Sequence, residues 1–182
     1  FRVDYRNVTK SELRNISSQA TQNRTFAKSM ASTYNMTFIS HSSKDKDLVM
    51  GAIEVIANHG GMPYIDEVDP EMPKHTSEET AELLKKRITD CKRFVLLTSP
   101  NSKDSRWVPW ELGVADGKKG VNRIAIFAAS DYESDDSWSS WEYMGLYPRI
   151  VWGKLKGYPN ELWMVYTEKT NTAETLESWL RR

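Results

Sequence analysis

Four short apolar runs, separated by segments of helical periodicity, constrain this chain more than any other feature. MTFIS (36–40), MPYID (62–66), FVLLT (94–98) and RIAIFA (123–128) have the length and the β-branched or aromatic content of buried strands. Pro63 puts the second of them at an early-strand or edge position. Between the runs, Leu48, Val49, Ala52, Ile53, Ile56 and Ala57 share one helical face, and Gly60-Gly61 ends that helix. Ala81, Leu84, Ile88 and Cys91 mark a second helix, and the stretch SPNSKDSRWVPWELGVA (99–115) opens a third. Strands that alternate with helices join through right-handed crossovers into a parallel sheet covered on both faces. The predicted class is α/β, a flavodoxin-like three-layer sandwich.

The flanks are less regular. Residues 1–33 are polar, with Thr9 and Glu12 at capping-box spacing. Leu13, Ile16, Ala20, Ala27 and Met30 fall on one face, which predicts a single amphipathic helix. This N-terminal extension or linker is read either as a packing appendage or as a partner-binding helix. The folded domain is expected over 34–152, with 153–182 as a C-terminal extension packed on it. Ser42 with Asp45 and Thr76 with Glu79 also have capping-box spacing. A short helix is expected around Trp138, Trp141, Met144 and Leu146, short strands at RIVW (149–152) and ELWMVYT (161–167), and a small helix over 172–180.

Composition narrows the function classes. The chain of 182 residues holds 25 basic and 25 acidic residues, so it has no bulk attraction for nucleic acid or an anionic membrane. A single cysteine, Cys91, offers neither a disulfide framework nor a thiol-based metal site, and it fits a reducing, cytoplasmic setting. No apolar run approaches the ~20 residues of a membrane span. The first residue is Phe1, not Met, which fits either a fragment or a processed product.

In a sheet of this kind ligands bind outside the strand carboxyl ends. Three polar turns converge there: 40–45, 66–75 and 99–106. The first, SHSSKDKD, has no glycine-rich phosphate loop, and its serines serve either to cap a helix or to hold a phosphate. His41, His59 and His75 do not cluster, so no metal site is expected; His59 sits as a helix C-cap and His41 on a candidate site turn. There is no GxSxG elbow. In the third turn Trp107 and Glu111 are four residues apart, so on a helix they share a face. An indole beside a carboxylate limits its hydration and raises its pKa. Spacing alone leaves two readings of Glu111, a functional carboxylate or a surface residue favoured by the dipole of a first helical turn.

Taken in order, FISHSSKDKDLV (38–49), YID (64–66) and FVLLTSPNSKDSRWVPWELGVA (94–115) resemble a bacterial TIR (Toll/interleukin-1 receptor) domain. The later YPRIVW, LWMVY and SWLR also look like small stand-alone bacterial TIR proteins. The resemblance implies a central parallel five-stranded sheet and cleavage of NAD at the nicotinamide–ribose bond, as glycohydrolase or ADP-ribosyl cyclase, in antiphage immunity. It makes Glu111, the glutamate of the WxxxE pattern, catalytic. It makes Trp107 pocket-shaping and places Ser40, His41, Ser43 and Asp66 near the substrate, with Lys44 in place of a basic cluster found in animal relatives. NAD is then the substrate, and no further cofactor is needed. The loop over 67–75 is the family's mobile gate and part of its head-to-tail assembly. Partners would be other TIR domains and an upstream sensor or downstream effector. Two other functions fit the same pattern: a non-catalytic TIR interaction module, and a nucleoside deoxyribosyltransferase.

Overall fold

A computed structural model describes residues 3–20, 36–133 and 143–182, with every side chain among them except that of Lys103. In chain order the elements are β1 (Asp4–Arg6), β2 (Val8–Thr9), α1 (Lys10–Gln19), β3 (Met36–Ser40), α2 (Lys46–Asn58), β4 (Met62–Tyr64), α3 (Glu78–Asp90), β5 (Arg93–Thr98), α4 (Trp107–Lys119), β6 (Ile124–Ser130), β7 (Arg149–Lys154), β8 (Leu162–Thr167), β9 (Thr172–Thr175) and α5 (Leu176–Arg181).

The sheet runs β4-β3-β5-β6-β7-β8-β9. Its first five strands are parallel, which is the predicted five-stranded arrangement, with the Pro63 strand at the edge. The sheet does not stop there. β8 and β9 extend it antiparallel, β1 adds antiparallel to β7, and β2 adds parallel to β6. β3, β5 and β6 are buried at every position, which is why they read as unbroken apolar runs.

Alternate residues of each strand feed two cores. Ile39, Val95, Leu97 and Phe127 pack under α1, α2 and α5 through Leu13, Ile53, Ile56 and Trp179. Phe38, Phe94, Leu96 and Ile126 pack under α3 and α4 through Leu84, Ile88, Val108 and Leu112. The sheet is thus sandwiched between two helical layers, and every central strand carries apolar side chains to both.

The N-terminal segment carries more than the expected helix. Thr9 and Glu12 do form the capping box, with Glu12 N donating to Thr9 Oγ1 (3.2 Å) and Thr9 N to Glu12 Oε2 (2.8 Å). The helix starting there is preceded by two strands that the sequence did not suggest. Leu13 is fully buried, and a Cβ on Gly51 of α2 would meet the Leu13 carbonyl at 2.3 Å. A Cβ on Gly153 of β7 would likewise meet Asp4 O at 2.2 Å. Both glycines are there because another backbone comes too close for any side chain. Ala27 and Met30 lie outside the described residues.

Four local expectations change. Ser77, not Thr76, caps α3 by accepting from Thr80 N (3.3 Å). Ser42 accepts from Lys44 N, but Asp45 makes no box with it; it is fully buried and receives the hydroxyls of Ser99 (2.6 Å) and Ser102 (2.7 Å). Around Met144 and Leu146 there is a 3-10 turn, and residues 134–142 are outside the described set. The expected C-terminal helix divides: Thr172–Thr175 pairs with β8, and Thr175 then caps α5 by accepting from Ser178 N. A short stretch beside the otherwise free edge of β8 takes the ladder hydrogen bonds in preference to an unsupported helical turn.

Candidate active site

β3 ends on Ser40, β4 delivers Tyr64 to a loop beginning at Asp66, and β5 leads through a Pro100–Asp104 3-10 turn into α4. These strands are parallel, so all three connections lie on the carboxyl edge of the sheet. α4 opens at Trp107 with Pro109 in its first turn, where proline lacks only a hydrogen bond the helix would not make. Ser105 Oγ accepts from Val108 N (3.3 Å) and helps fix the start of the helix. One turn on, Glu111 points back toward the sheet and is 5% exposed.

Ser40 Oγ donates a hydrogen bond to Glu111 Oε2. No cation is paired with Glu111 among the described residues. Burial pushes its carboxyl up to about 8, against a lowering by the Ser40 hydroxyl and a further rise from the Asp66 charge. Asp66 is itself raised, chiefly by burial, with His41 acting the other way. The His41 side chain is 3% exposed, with Nε2 3.8 Å from Glu67 Oε1.

A cavity of about 240 Å³ opens over Glu111. Trp107, His41, Ser43 and Asp66 line it, so five of the seven residues singled out from sequence converge there. Ser40 is behind Glu111 rather than on the cavity wall, 1% exposed and engaged with the carboxylate. Lys44 is outside: its Nζ pairs with Asp104 at 2.8 Å on the exposed surface. The far wall comes from the loop after β4 and the start of α3, through Met72, Lys74, His75, Thr80 and Leu84. The family resemblance pointed to this loop as a gate, but none of these side chains was among the site residues singled out from sequence. Among the described residues Lys74 is the lysine that faces the cavity, a distinction only tertiary structure makes.

The base of that loop is a buried knot. Asp69 accepts from Tyr64 Oη (2.7 Å), Arg87 Nε (2.7 Å) and Glu71 N (2.9 Å), and Arg87 also holds Glu71. Burial would raise the Asp69 carboxyl, but the Arg87 guanidinium and the Tyr64 hydroxyl hold it below the usual carboxylate range. The Trp107 ring meets Trp110 edge-on at 5.2 Å, which fixes the indole on the cavity side of α4.

Fold and cavity together define a doubly wound α/β domain with a buried acid, unpaired with any described cation, in a hollow of about 240 Å³ at the strand carboxyl ends. Residues 37–149 match the family model described as TIR domain. The chain belongs to the TIR family. It is 32% identical over 148 residues, 80% of this chain and 75% of the other, to the Bacillus cereus (strain MSX-D12) protein named "Probable 3' cyclic ADP-D-ribose synthase ThsB'". A solved metazoan TIR-STING receptor from C. gigas aligns at 20% identity and a TM-score of 0.41, covering 53% of this chain and 31% of that one, a likeness too loose to carry an argument.

Proposed function

We propose that this TIR domain cleaves the nicotinamide–ribose bond of NAD, with Glu111 as the catalytic carboxylate. The observation that carries the reading is Glu111 itself: buried, held by one neutral hydroxyl, with no cation paired to it among the described residues, and open to a cavity walled by Trp107. Such a group costs stability, and groups kept at that cost in a cleft cluster at functional sites. A cationic substrate supplies the missing charge, and the positive nicotinamide ring would favour the ionised form of Glu111.

The chemistry needs little more. The glycosidic C–N bond breaks with its electron pair going to the ring nitrogen, and nicotinamide leaves neutral without a proton donor. The ribosyl cation left behind is stabilised by Glu111 in a water-poor site. Capture by water gives ADP-ribose and a proton. Capture by a nucleophile of the same molecule gives a cyclic product and a proton. The name of the Bacillus cereus relative favours the cyclic outcome here. No metal or further cofactor enters this scheme.

The cavity is somewhat below the ~300–1,000 Å³ of pockets that enclose a drug-sized ligand. We assign it the nicotinamide and adjoining ribose, with Trp107 against a ring and Lys74 and Ser43 toward the phosphates. The adenosine end then lies outside it, covered by a second TIR domain in a homo-oligomer. None of the described helices is long and apolar enough to cross a membrane. We place the protein in the cytoplasm, in bacterial antiphage defence, acting with a sensor or effector partner. Chromatography of NAD-derived products at high protein concentration tests the reading. Nicotinamide with a linear or cyclic ADP-ribose is expected, and at least about 10²-fold less of it from Glu111→Gln. An intact NAD pool at every concentration would leave a non-catalytic interaction module, and conversion of nucleosides instead of NAD would leave a deoxyribosyltransferase.

A further inference from the structure

The opposite edge of the sheet carries a second feature. β5 begins at Arg93 and the turn before β6 supplies Asn122 and Arg123, so these residues share the amino edge, away from Glu111. With Arg182 they line a cavity of about 250 Å³. Three of its four lining residues are arginines.

Arg93 is 3% exposed. Its Nε donates to Trp179 O (2.8 Å), and its guanidinium stacks over the Trp179 ring at 5.0 Å. Trp179 is fixed in turn by its indole N–H on Asn122 O (3.1 Å). Lys92 Nζ makes a similar bond to Arg181 O (2.5 Å). Capping the last carbonyls of α5 therefore explains one N–H of Arg93. It does not explain why Arg123 and Arg182 converge on the same hollow.

Acids are scarce there. Glu174 is held by Arg182 at 2.7 Å, and no carboxylate pairs with Arg93 or Arg123 among the described residues. Burial, with repulsion from Arg182 and Arg123, lowers the Arg93 guanidinium to about 10. Lys119 nearby is lowered too, by burial first, with Cys91 and Asp90 acting the other way and Arg123 and Arg93 adding to the lowering; its Nζ donates to the Thr89 and Cys91 carbonyls. Buried charges in native proteins are ordinarily paired, and Arg93, the buried one of the three, has no carboxylate partner among the described residues; with the exposed Arg123 and Arg182 beside it, the hollow asks for an anion.

We propose that the cavity between Arg93, Arg123 and Arg182 binds a phosphoryl anion, as inorganic phosphate or as the diphosphate group of a small molecule. Guanidinium forks match phosphate oxygens bidentately, and Arg93 is already locked in place by Trp179. The lining offers no ring to stack on, because Trp179 is 1% exposed beneath Arg93. The site reads charge, not a base.

Thermal unfolding of the full chain, titrated with sodium pyrophosphate at constant ionic strength, tests this. The expected result is a saturable rise in Tm, smaller with inorganic phosphate and absent with adenosine. ADP should bind no more tightly than pyrophosphate. Arg123 is exposed, so Arg123→Gln keeps the fold, and it should weaken pyrophosphate at least about tenfold. Pyrophosphate could also enter the Glu111 cavity, and only the fraction of the effect lost in Arg123→Gln counts in favour. A wild-type Tm that responds only as it does to sodium chloride, or an unchanged response in Arg123→Gln, overturns the proposal. Adenosine or ADP binding more tightly than pyrophosphate and depending on Arg123 overturns the charge-only reading.

Discussion

Glu111 and Asp69 are both buried carboxylates near the carboxyl edge of the sheet, and the protein treats them in opposite ways. Asp69 has a side chain with no exposure and receives a guanidinium, a phenol and a backbone amide. Its charge is balanced and its carboxyl sits low. Glu111 receives one serine hydroxyl, faces the Asp66 charge and sits high, at about 8. One arrangement ties a loop down with a balanced charge, and the other holds an acid whose ionised form no described cation balances. The lesson is that burial alone does not distinguish a structural acid from a reactive one; the partners do.

That contrast can be broken or sharpened by experiment. Glu111→Gln should lower NAD cleavage by about 10²–10³-fold or more while Tm holds or rises, measured by product chromatography beside thermal unfolding. Arg87→Ala should do the reverse in kind. Removing one partner of a buried pair costs about 3–5 kcal/mol in denaturant unfolding, and the double replacement of Asp69 and Arg87 by apolar residues should recover much of it.

The pH dependence of stability separates the two acids. The folded pKa of Glu111 lies above its ordinary 4.5, so the folded chain holds a proton that the unfolded chain has lost. Its share of stability therefore falls as pH rises from 4.5 toward 8, by up to about 1.4 kcal/mol per unit. Glu111→Gln should flatten that limb. Asp69 is lowered, so its share is present above the usual aspartate range and is lost as pH falls below it. Smallest of all, Ser40→Ala should reduce kcat/KM about tenfold and move its pH midpoint upward, because the hydroxyl that favours the ionised form is gone.

The parts of this molecule that could be read from its sequence are those whose own side chains decide them. β3, β5 and β6 are buried on both faces and announce themselves as apolar runs. Trp107 and Glu111 lie one helical turn apart, and their shared face follows from spacing. β1, β2 and β9 are short and polar, and their pairing is decided by strands far along the chain, helped by Gly153 where β1 crosses close. The site shows the same limit. Ser40 meets Glu111 across 71 residues of chain, and no local pattern tells Lys44, spent on Asp104, from Lys74, which faces the cavity. The knot of Tyr64, Asp69 and Arg87 was equally hidden, since its members are scattered over a strand, a loop and a helix.

The pH profile of kcat/KM for NAD tests most directly whether the uncompensated Glu111 is the reacting group. kcat/KM reports ionisations of the free enzyme. The expected profile climbs about tenfold per pH unit on the acid side and levels near 8, where Glu111 is ionised. A profile flat from pH 6 to 8, or one retained with the same midpoint in Glu111→Gln, would contradict the account.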